Sequence, residues 1–547
     1  MKKILSVLLT LCLLLALSAC GQGDQPTQTD QPQQPDQSVQ PDAPQLQGEN
    51  VITLSDEGVT LDGSALGDSG GVYVSHDIIY YEDRNTYDSG DAYGEGEDWE
   101  KHSADDAAAH TVVNITQPGT YTVTGKLSRG QIRVDLGEEA FTDPAAVVTL
   151  VLQDADITCG VAPAILFLNV YECDNQWEDN TPTFTVDTAS AGANLVVEGE
   201  NTVNGSHVAK IFKDGGEEKK LWKQDAAVYS YMSMNVSGEG SLDITADNEG
   251  LDTELHLTIN SGDLTIRSGN DGINTNEDGV SVTTINGGTI HILAGLGEEG
   301  DGVDSNGWLV INGGTVIASA NPAADAGLDS DMGSYINGGT VLALGSTMDW
   351  AESDSQQVTM NLQFAQQRAA GSKIAVTDPE GAEAFFFDIA ADPVLSQKNR
   401  TFQGVILSCA GLELEQTYQV QVNGVNQSYT GTDVQMRPGM GGFGGKGDGF
   451  GGGRGQRPEN GQKPFDGTTP PQGMENMTPP EGFENMALPE GFQHGQMGEG
   501  KGNMTLPEGF TPGELPDGTQ MSQQGDQNTL FYMQDKVNNF SGVTDAE

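Results

Sequence analysis

Basic residues are scarce. The 547-residue chain holds 24 Lys and Arg against 80 Asp and Glu, a formal net charge of −56. Such a chain does not hold nucleic acid or anionic lipid through its own charge. A neutral polysaccharide can bind it through stacking and hydrogen bonds, whereas an acidic one needs bridging cations. Aromatics make up only 6% of the residues. Few aromatics with much charge can mean disorder, but periodic apolar runs in the middle of the chain argue for a folded segment. The five cysteines include Cys12 and Cys20 near the N-terminus. Cys159, Cys173 and Cys409 are too few for a disulfide framework, and whether Cys159 and Cys173 pair or remain buried thiols stays open. The seven histidines lack zinc spacing; His256 and His291 are isolated and read as surface residues. No Walker loop and no Ser-His-Asp arrangement occurs. Beyond the N-terminus no stretch approaches the 18 apolar residues that suggest a membrane helix.

What is present is a repeat. Asn248-Glu249-Gly250-Leu251-Asp252-Thr253 is echoed by Asn270-Asp271-Gly272-Ile273-Asn274-Thr275, by Gly300-Asp301-Gly302-Val303-Asp304-Ser305 and by Asp325-Ala326-Gly327-Leu328-Asp329-Ser330. A second phrase follows each copy, with its Asn at 260, 286, 312 and 337. The period of about 25 residues lies in the solenoid range. After each Asn-Gly-Gly or Asn-Ser-Gly comes a short alternating run (Leu264 and Ile266, Ile290 and Ile292, Val316 and Ala318, Val341 and Ala343) that reads as a half-buried strand. No segment of the repeat is long enough for a crossover helix, and the leucine-rich spacing is absent. The expected fold is all-β: a parallel β-helix of about 25 residues per coil.

Stacking explains the acids. Neighbouring strands lie about 4.8 Å apart, so equivalent residues form ladders. Asp252, Asn274, Asp304 and Asp329 make one expected ladder. Glu249, Asp271 and Asp301 make a second, and Glu254, Asn276, Asn306 and Asp331 a third. Carboxylates this close repel by several kcal/mol at intermediate dielectric. An all-oxygen set of Asp and Asn suits Ca2+; the alternative is a set of turn-capping side chains with solvated charge.

The chain begins with a leader. Lys2 and Lys3 precede an apolar run from Ile4 to Leu17, then Leu17-Ser18-Ala19-Cys20. This reads as a lipoprotein signal peptide over 1–20 with Cys20 as the lipidation site. The lipid is the expected membrane contact, and the location is the extracellular face of the cell membrane. Residues 21–48, rich in Gln, Pro, Asp and Thr, read as a flexible linker. Residues 49–110 read as an N-terminal cap with a polar insertion. The β-helix is expected over 111–350 with Lys210 to Lys223 as a charged interruption, and a β-rich capping unit over 351–435. Residues 436–547 form a Gly/Pro/Met-rich low-complexity tail with Pro-Glu-Gly-Phe at 480–483, 489–492 and 507–510. The tail is expected to be disordered, with Leu530-Phe531-Tyr532-Met533 docking back on the domain or on a protein partner.

The lipobox, the strand Pro118-Gly119-Thr120-Tyr121-Thr122-Val123-Thr124-Gly125, the Asp-Gly-Val-Asp-Ser and Asn-Gly-Gly-Thr-Val corners, and the later Thr417-Tyr418-Gln419-Val420 occur in this order. Together, over roughly 50–430, they resemble bacterial exported carbohydrate-binding proteins with a pectate-lyase-like right-handed parallel β-helix. The resemblance implies non-catalytic binding of a cellulose-like or pectin-like polysaccharide. It also implies calcium at Asp271, Asp301, Asp304, Asp325 and Asp329. Two positions depart from the pattern: Asn274 stands where an Asp is expected, and Ala326 where an acid precedes Gly327.

A lyase on such a fold needs Ca2+ and a base, usually Arg or Lys. Between Asp225 and Trp350 the one candidate is Arg267, on an outward face. Abundant acids leave a hydrolase pair undefined. Trp308, Tyr335 and Trp350 are the expected sugar-stacking residues, with Trp308 and Tyr335 at related places in successive repeats. A calcium-dependent polysaccharide lyase and a surface adhesin are the alternative readings.

Overall fold

The structure is a computed structural model. It describes residues 50–81, 92–95, 101–175, 183–208, 210–213, 223–346, 349–398, 400–432 and 528–546. The expected signal peptide, Cys20 and linker lie outside the described residues, as does the expected tail up to 527.

The described chain is almost wholly β, with one short helix, Ala104–Ala108, whose N-terminus is capped by Ser103 Oγ accepting the Asp106 N–H at 3.0 Å. Most strand pairs in the large sheets are parallel. One sheet runs in order through Val72–Ser75, Thr111–Ile115, Gly130–Asp135, Ile165–Asn169, Ala226–Ser230, Glu249–Thr253, Ile273–Thr275 and Val303–Ser305. Only its first pair is antiparallel. The larger sheet contains two further parallel ladders. One stacks Ala193–Glu198, Met234–Gly238, Leu257–Ile259, Val282–Ile285, Trp308–Ile311 and Gly333–Ile336. The other stacks Glu200–Gly205, Ser241–Ala246, Asp263–Ser268, Thr289–Leu293, Thr315–Ser319 and Thr340–Gly345. The long strand Val148–Thr158 pairs with the first members of both.

The ladders turn their apolar rows to one core. Leu251, Ile273, Val303 and Leu328 form one row, Ile259, Ile285, Ile311 and Ile336 another, and Leu264, Ile290, Val316 and Val341 a third, all fully buried. Each such side chain contributes about 1.5–3 kcal/mol on burial. The glycine of the Asp-Gly phrase is a steric requirement. A methyl group at Gly250 would meet Ile266 Cγ2 and the Gly272 carbonyl oxygen, and one at Gly272 would meet Ile292 Cγ2 and the Gly302 carbonyl oxygen. The repeated Asn side chains form their own ladder: Asn286, Asn312 and Asn337 each donate to the preceding Asn Oδ1 at 2.9 Å.

The two polar interruptions meet. Ala92–Glu95 pairs antiparallel with Lys210–Lys213. At the far end, Phe402–Ser408 pairs antiparallel with Thr340–Gly345 and with Thr359–Arg368. This covers the open edge of the last ladder strand. A second core forms there between Leu293, Ile317, Leu342 and Leu344 of the ladder and the apolar face of the C-terminal strands. Arg400 ties the two together, its buried guanidinium donating to the carbonyls of Gly295 (2.5 Å) and Ala320. Burial lowers its pKa to about 10.

The expectation of a disordered tail running to 547 is corrected at its end. Val537–Asp545 is a strand parallel to Thr359–Arg368, and Phe531–Tyr532 pairs with Thr417–Val422. Phe531, Met533, Phe540 and Val543 are buried in the second core. Phe531, Phe540 and Tyr429 have ring centroids 4.7–4.9 Å apart. Arg368 fixes the strand through Asp545 at 2.8 Å. The physical reason is apolar alternation, Phe531 and Met533 then Phe540 and Val543, which needs a sheet face to cover.

Candidate functional site

The acids of the repeat stack as the period requires. Asp252 registers with Asn274 and Asn274 with Asp304 on adjacent parallel strands. The Glu249, Asp271, Asp301 positions follow the same step, because Gly250 and Gly272 donate to the Asp271 and Asp301 carbonyls, each at 3.0 Å. The Glu254, Asn276, Asn306 and Asp331 positions do likewise through Asn276, Asn306 and Asp331.

The arrangement is most closed at its first rungs. Asp252, Glu249, Asp271, Asn274 and Asn276 are all buried, Asp252 completely at 0% exposure. Asn276 donates to Asp252 Oδ1 (2.7 Å) and Asn274 to Glu249 Oε1 (3.1 Å). The remaining oxygens, Glu249 Oε2, Asp252 Oδ2 and Asn274 Oδ1, are buried and receive no N–H or O–H donor, and the Asp252 and Glu249 carboxyls stand within hydrogen-bond reach of each other. Orphaned carboxylate oxygens at this depth are costly. Asp252 is raised well above the ordinary carboxylate range, by burial first and then by Glu249. Asp271 is raised by burial and then Asp304, and Asp301 by burial and then Asp329. Asp304 is pushed up to about 7 by burial and then by Asp329 and Asp331.

Lys223 enters this cluster from outside the repeat. It is buried and pairs with Asp225 at 2.9 Å. Burial works against its charge, but Asp225, Glu249, Asp252 and Glu254 together outweigh it and raise its pKa. Next to it Tyr229 donates to Glu254, and Tyr231 donates to the Lys223 carbonyl at 2.9 Å. Lys223 is one cation among four acids, Asp225, Glu249, Asp252 and Glu254, so the cluster keeps an excess of negative charge when its carboxylates are ionised. A divalent cation would offset that excess, and the buried oxygens are hard donors of the type that Ca2+ takes. The donor set therefore fits such an ion. Among the described residues no group of three His, Cys, Asp or Glu side chains is gathered at metal-ligand spacing; the set at this rung includes an amide, Asn274. At the open end Asp325 stands at a turn, accepts the Gly300 N–H at 2.9 Å, and adds repulsion on Asp301. Asp329 and Asp304 are half-buried and Asp331 is exposed.

The aromatic expectations divide. Trp308 is not a sugar platform: at 7% exposure it packs with Val282, Val310 and Val186. The segment around Phe184–Thr188 covers that outer face, and Thr188 is bonded to Asn235 (2.8 Å) and Thr258 (2.7 Å). Tyr335 stacks on Phe184 with centroids 4.4 Å apart. Trp350 is half-buried and lines a cleft beside the last strands.

Arg267 is engaged. It pairs with Asp243 at 2.5 Å and donates to Gln397 Oε1 at 2.8 Å. His256 is buried, not a surface residue: its Nδ1 accepts the Val282 N–H at 3.1 Å, so Nε2 carries the proton toward Asp174 at 3.3 Å. Neighbouring Glu172, fully buried, accepts from the Ser233 N–H (2.7 Å) and hydroxyl (2.8 Å). Cys159, Cys173 and Cys409 are free thiols, and burial pushes Cys159 up to about 12.

Lys223, Tyr229 and Glu172 were not singled out from sequence. Lys223 and Glu172 lie outside the repeat. The one available signal was the step of Tyr229 into the Asp252 register, four residues after Asp225.

These features define a class: an all-β protein of stacked, mostly parallel strands with an acid-lined face. The chain belongs to the family of carbohydrate-binding domain-containing proteins, whose match spans residues 109–404, over half of the chain. No curated protein matches. Among solved structures, a polysaccharide lyase-like protein from C. thermocellum, in a gadolinium derivative, aligns at 18% identity over 53% of this chain and 92% of that chain, with a TM-score of 0.28. At that score the likeness carries no weight for fold or function.

Proposed function

We propose that the protein binds polysaccharide without cleaving it, at the outer face of the cell membrane, to which Cys20 tethers it through lipid. The observation that carries the carbohydrate reading is family membership over 109–404. In this reading the three parallel ladders are the faces of a right-handed parallel β-helix, and calcium fills the acid-bearing face. The buried set Glu249, Asp252 and Asn274 holds one ion. Asp271, Asp301, Asp304 and Asp329, flanked by Asp325 and Asp331, form the more open end of the same run.

The ion's chemistry here is charge compensation. Bound there, the ion would let Glu249 and Asp252 stay ionised, while the paired strands that carry these residues keep the outer surface in one shape for a long polymer. Lys223 supplies the same compensation to Asp225 from within the chain. The non-catalytic reading is supported by Arg267, whose guanidinium is held by Asp243 and Gln397 instead of standing free to take a proton. Lys223 is held protonated by four acids and is no base.

Calcium titration by calorimetry tests the metal half of the proposal. The wild-type chain takes up calcium, and Asp252→Asn lowers the stoichiometry by one ion. Absence of heat and of any thermal shift in wild type would remove calcium from the account.

A further inference from the structure

A cleft of about 550 Å3 opens where the ladders end. One wall is Trp350 and Glu352, carried by the segment that continues the Gly333–Ile336 rung: Ala351 bridges Ser334, and the Glu352 N–H donates to the Ser334 carbonyl at 2.7 Å. The other wall is the turn between the last two strands, with Gln534, Asp535 and Lys536, together with Asn539 of the strand Val537–Asp545, and Leu414 also lines the cleft. That turn is pinned from two sides. The Glu415 N–H donates to the Met533 carbonyl (2.8 Å), the Met533 N–H to the Gln416 carbonyl (2.9 Å), and the Thr359 N–H to the Lys536 carbonyl (2.7 Å).

We infer that this cleft is a subsite for a neutral sugar unit, completed by the returning C-terminal strand of the chain. The inference rests on the carbohydrate-binding reading and adds to it where one unit sits and what it is. The lining has the two elements that sugar recognition needs. The indole of Trp350 offers an apolar face to the C–H side of a pyranose ring. Around it, the amide of Gln534 can donate and accept, the Asn539 amide nitrogen can donate while its Oδ1 accepts from Asn361 at 2.7 Å, and the carboxylates of Glu352 and Asp535 can accept from hydroxyls. The volume falls within the usual range for small-molecule sites of about 300–1,000 Å3. Charge selects the sugar. The lining holds one cation, Lys536, and two acids, Glu352 and Asp535, in a chain of net charge −56, so a uronate is disfavoured and a neutral hexose is not.

The family match ends at 404, whereas Leu414 and the 534–539 wall lie beyond it. The subsite thus joins a wall from the matched region, Trp350 and Glu352, to a wall supplied by the C-terminal strands. The long stretch from 433 to 527 precedes a wall that is essential to the cleft.

The test is affinity electrophoresis of the full chain in gels containing a soluble neutral β-glucan or polygalacturonate, with calcium present. Four variants are run beside wild type: Trp350→Ala, Trp350→Phe, Lys536→Ala and the double Gln534→Ala/Asn539→Ala. Melting curves establish that each folds. The expected result is retardation of wild type by the neutral glucan, weakened at least tenfold in Trp350→Ala and in the double variant, and largely kept in Trp350→Phe. If wild type is retarded and the variants match it, the subsite is wrong while the carbohydrate reading stands. Retardation by polygalacturonate alone, lost in Lys536→Ala, would overturn the charge argument. If neither glycan retards wild type, the carbohydrate reading falls with the subsite.

Discussion

Asp252 carries the sharpest consequence of the acid ladder, because it is both fully buried and opposed by Glu249. In chelator, Asp252→Asn removes a carboxyl whose ionisation burial and Glu249 oppose, and is expected to raise the melting temperature. In calcium the same change is expected to abolish most of the ion-induced rise. A site filled at 100 times its Kd adds about 2.7 kcal/mol, so scanning calorimetry with and without calcium resolves both effects. Asp304 sets the pH dependence. Its folded-state pKa of about 7 lies above the ordinary value of 3.8, so the folded protein holds this proton more tightly than the unfolded chain does. The resulting stability is fully present below about pH 4 and is lost as pH rises through about 7. In chelator the melting temperature is therefore expected to fall between pH 4 and pH 7. Calcium should reverse that trend, because the ion binds the deprotonated carboxylates. A melting temperature that rises with pH in chelator would contradict this. At this scale the register of Asp252, Asn274 and Asp304 was legible in the sequence, because a fixed period on parallel strands leaves one alignment. Lys223 was not legible, since its partners are met only through folding. Trp308 misled for the same reason: the residues that cover it, Phe184 to Thr188, stand far earlier in the chain.

Among elements, the C-terminal strand is the one on which most depends. Together with the short strand Phe531–Tyr532 before it, it brings Phe531, Met533, Phe540 and Val543 into the second core. Phe540→Ala is expected to cost about 3–5 kcal/mol, read by urea denaturation. Ending the chain after residue 527 is expected to cause early melting or aggregation through the exposed edge of Thr359–Arg368. A truncated chain that melts with the wild type would refute the role given to this strand. Sequence patterns revealed the parallel ladders because their strands alternate and their corners repeat. They missed the final strand because it follows a long low-complexity stretch whose composition dominates its surroundings. The pairing of Ala92–Glu95 with Lys210–Lys213 was equally hidden, as each reads as an isolated polar interruption.

For the molecule as a whole, the family match, the all-β architecture and the acid-bearing face converge on one account. In the proposed reading an ion-compensated stack of strands would present a fixed surface to a polymer, with Arg267 held by Asp243 and Gln397. The direct test is retention of the full chain on immobilised neutral β-glucan and on polygalacturonate, in calcium and in chelator, with ultraviolet absorbance of the eluate recorded for unsaturated product. The account predicts retention on the neutral β-glucan in calcium, loss in chelator and no product from either polymer. Retention on neither polymer, or product formation that depends on Arg267, would contradict it.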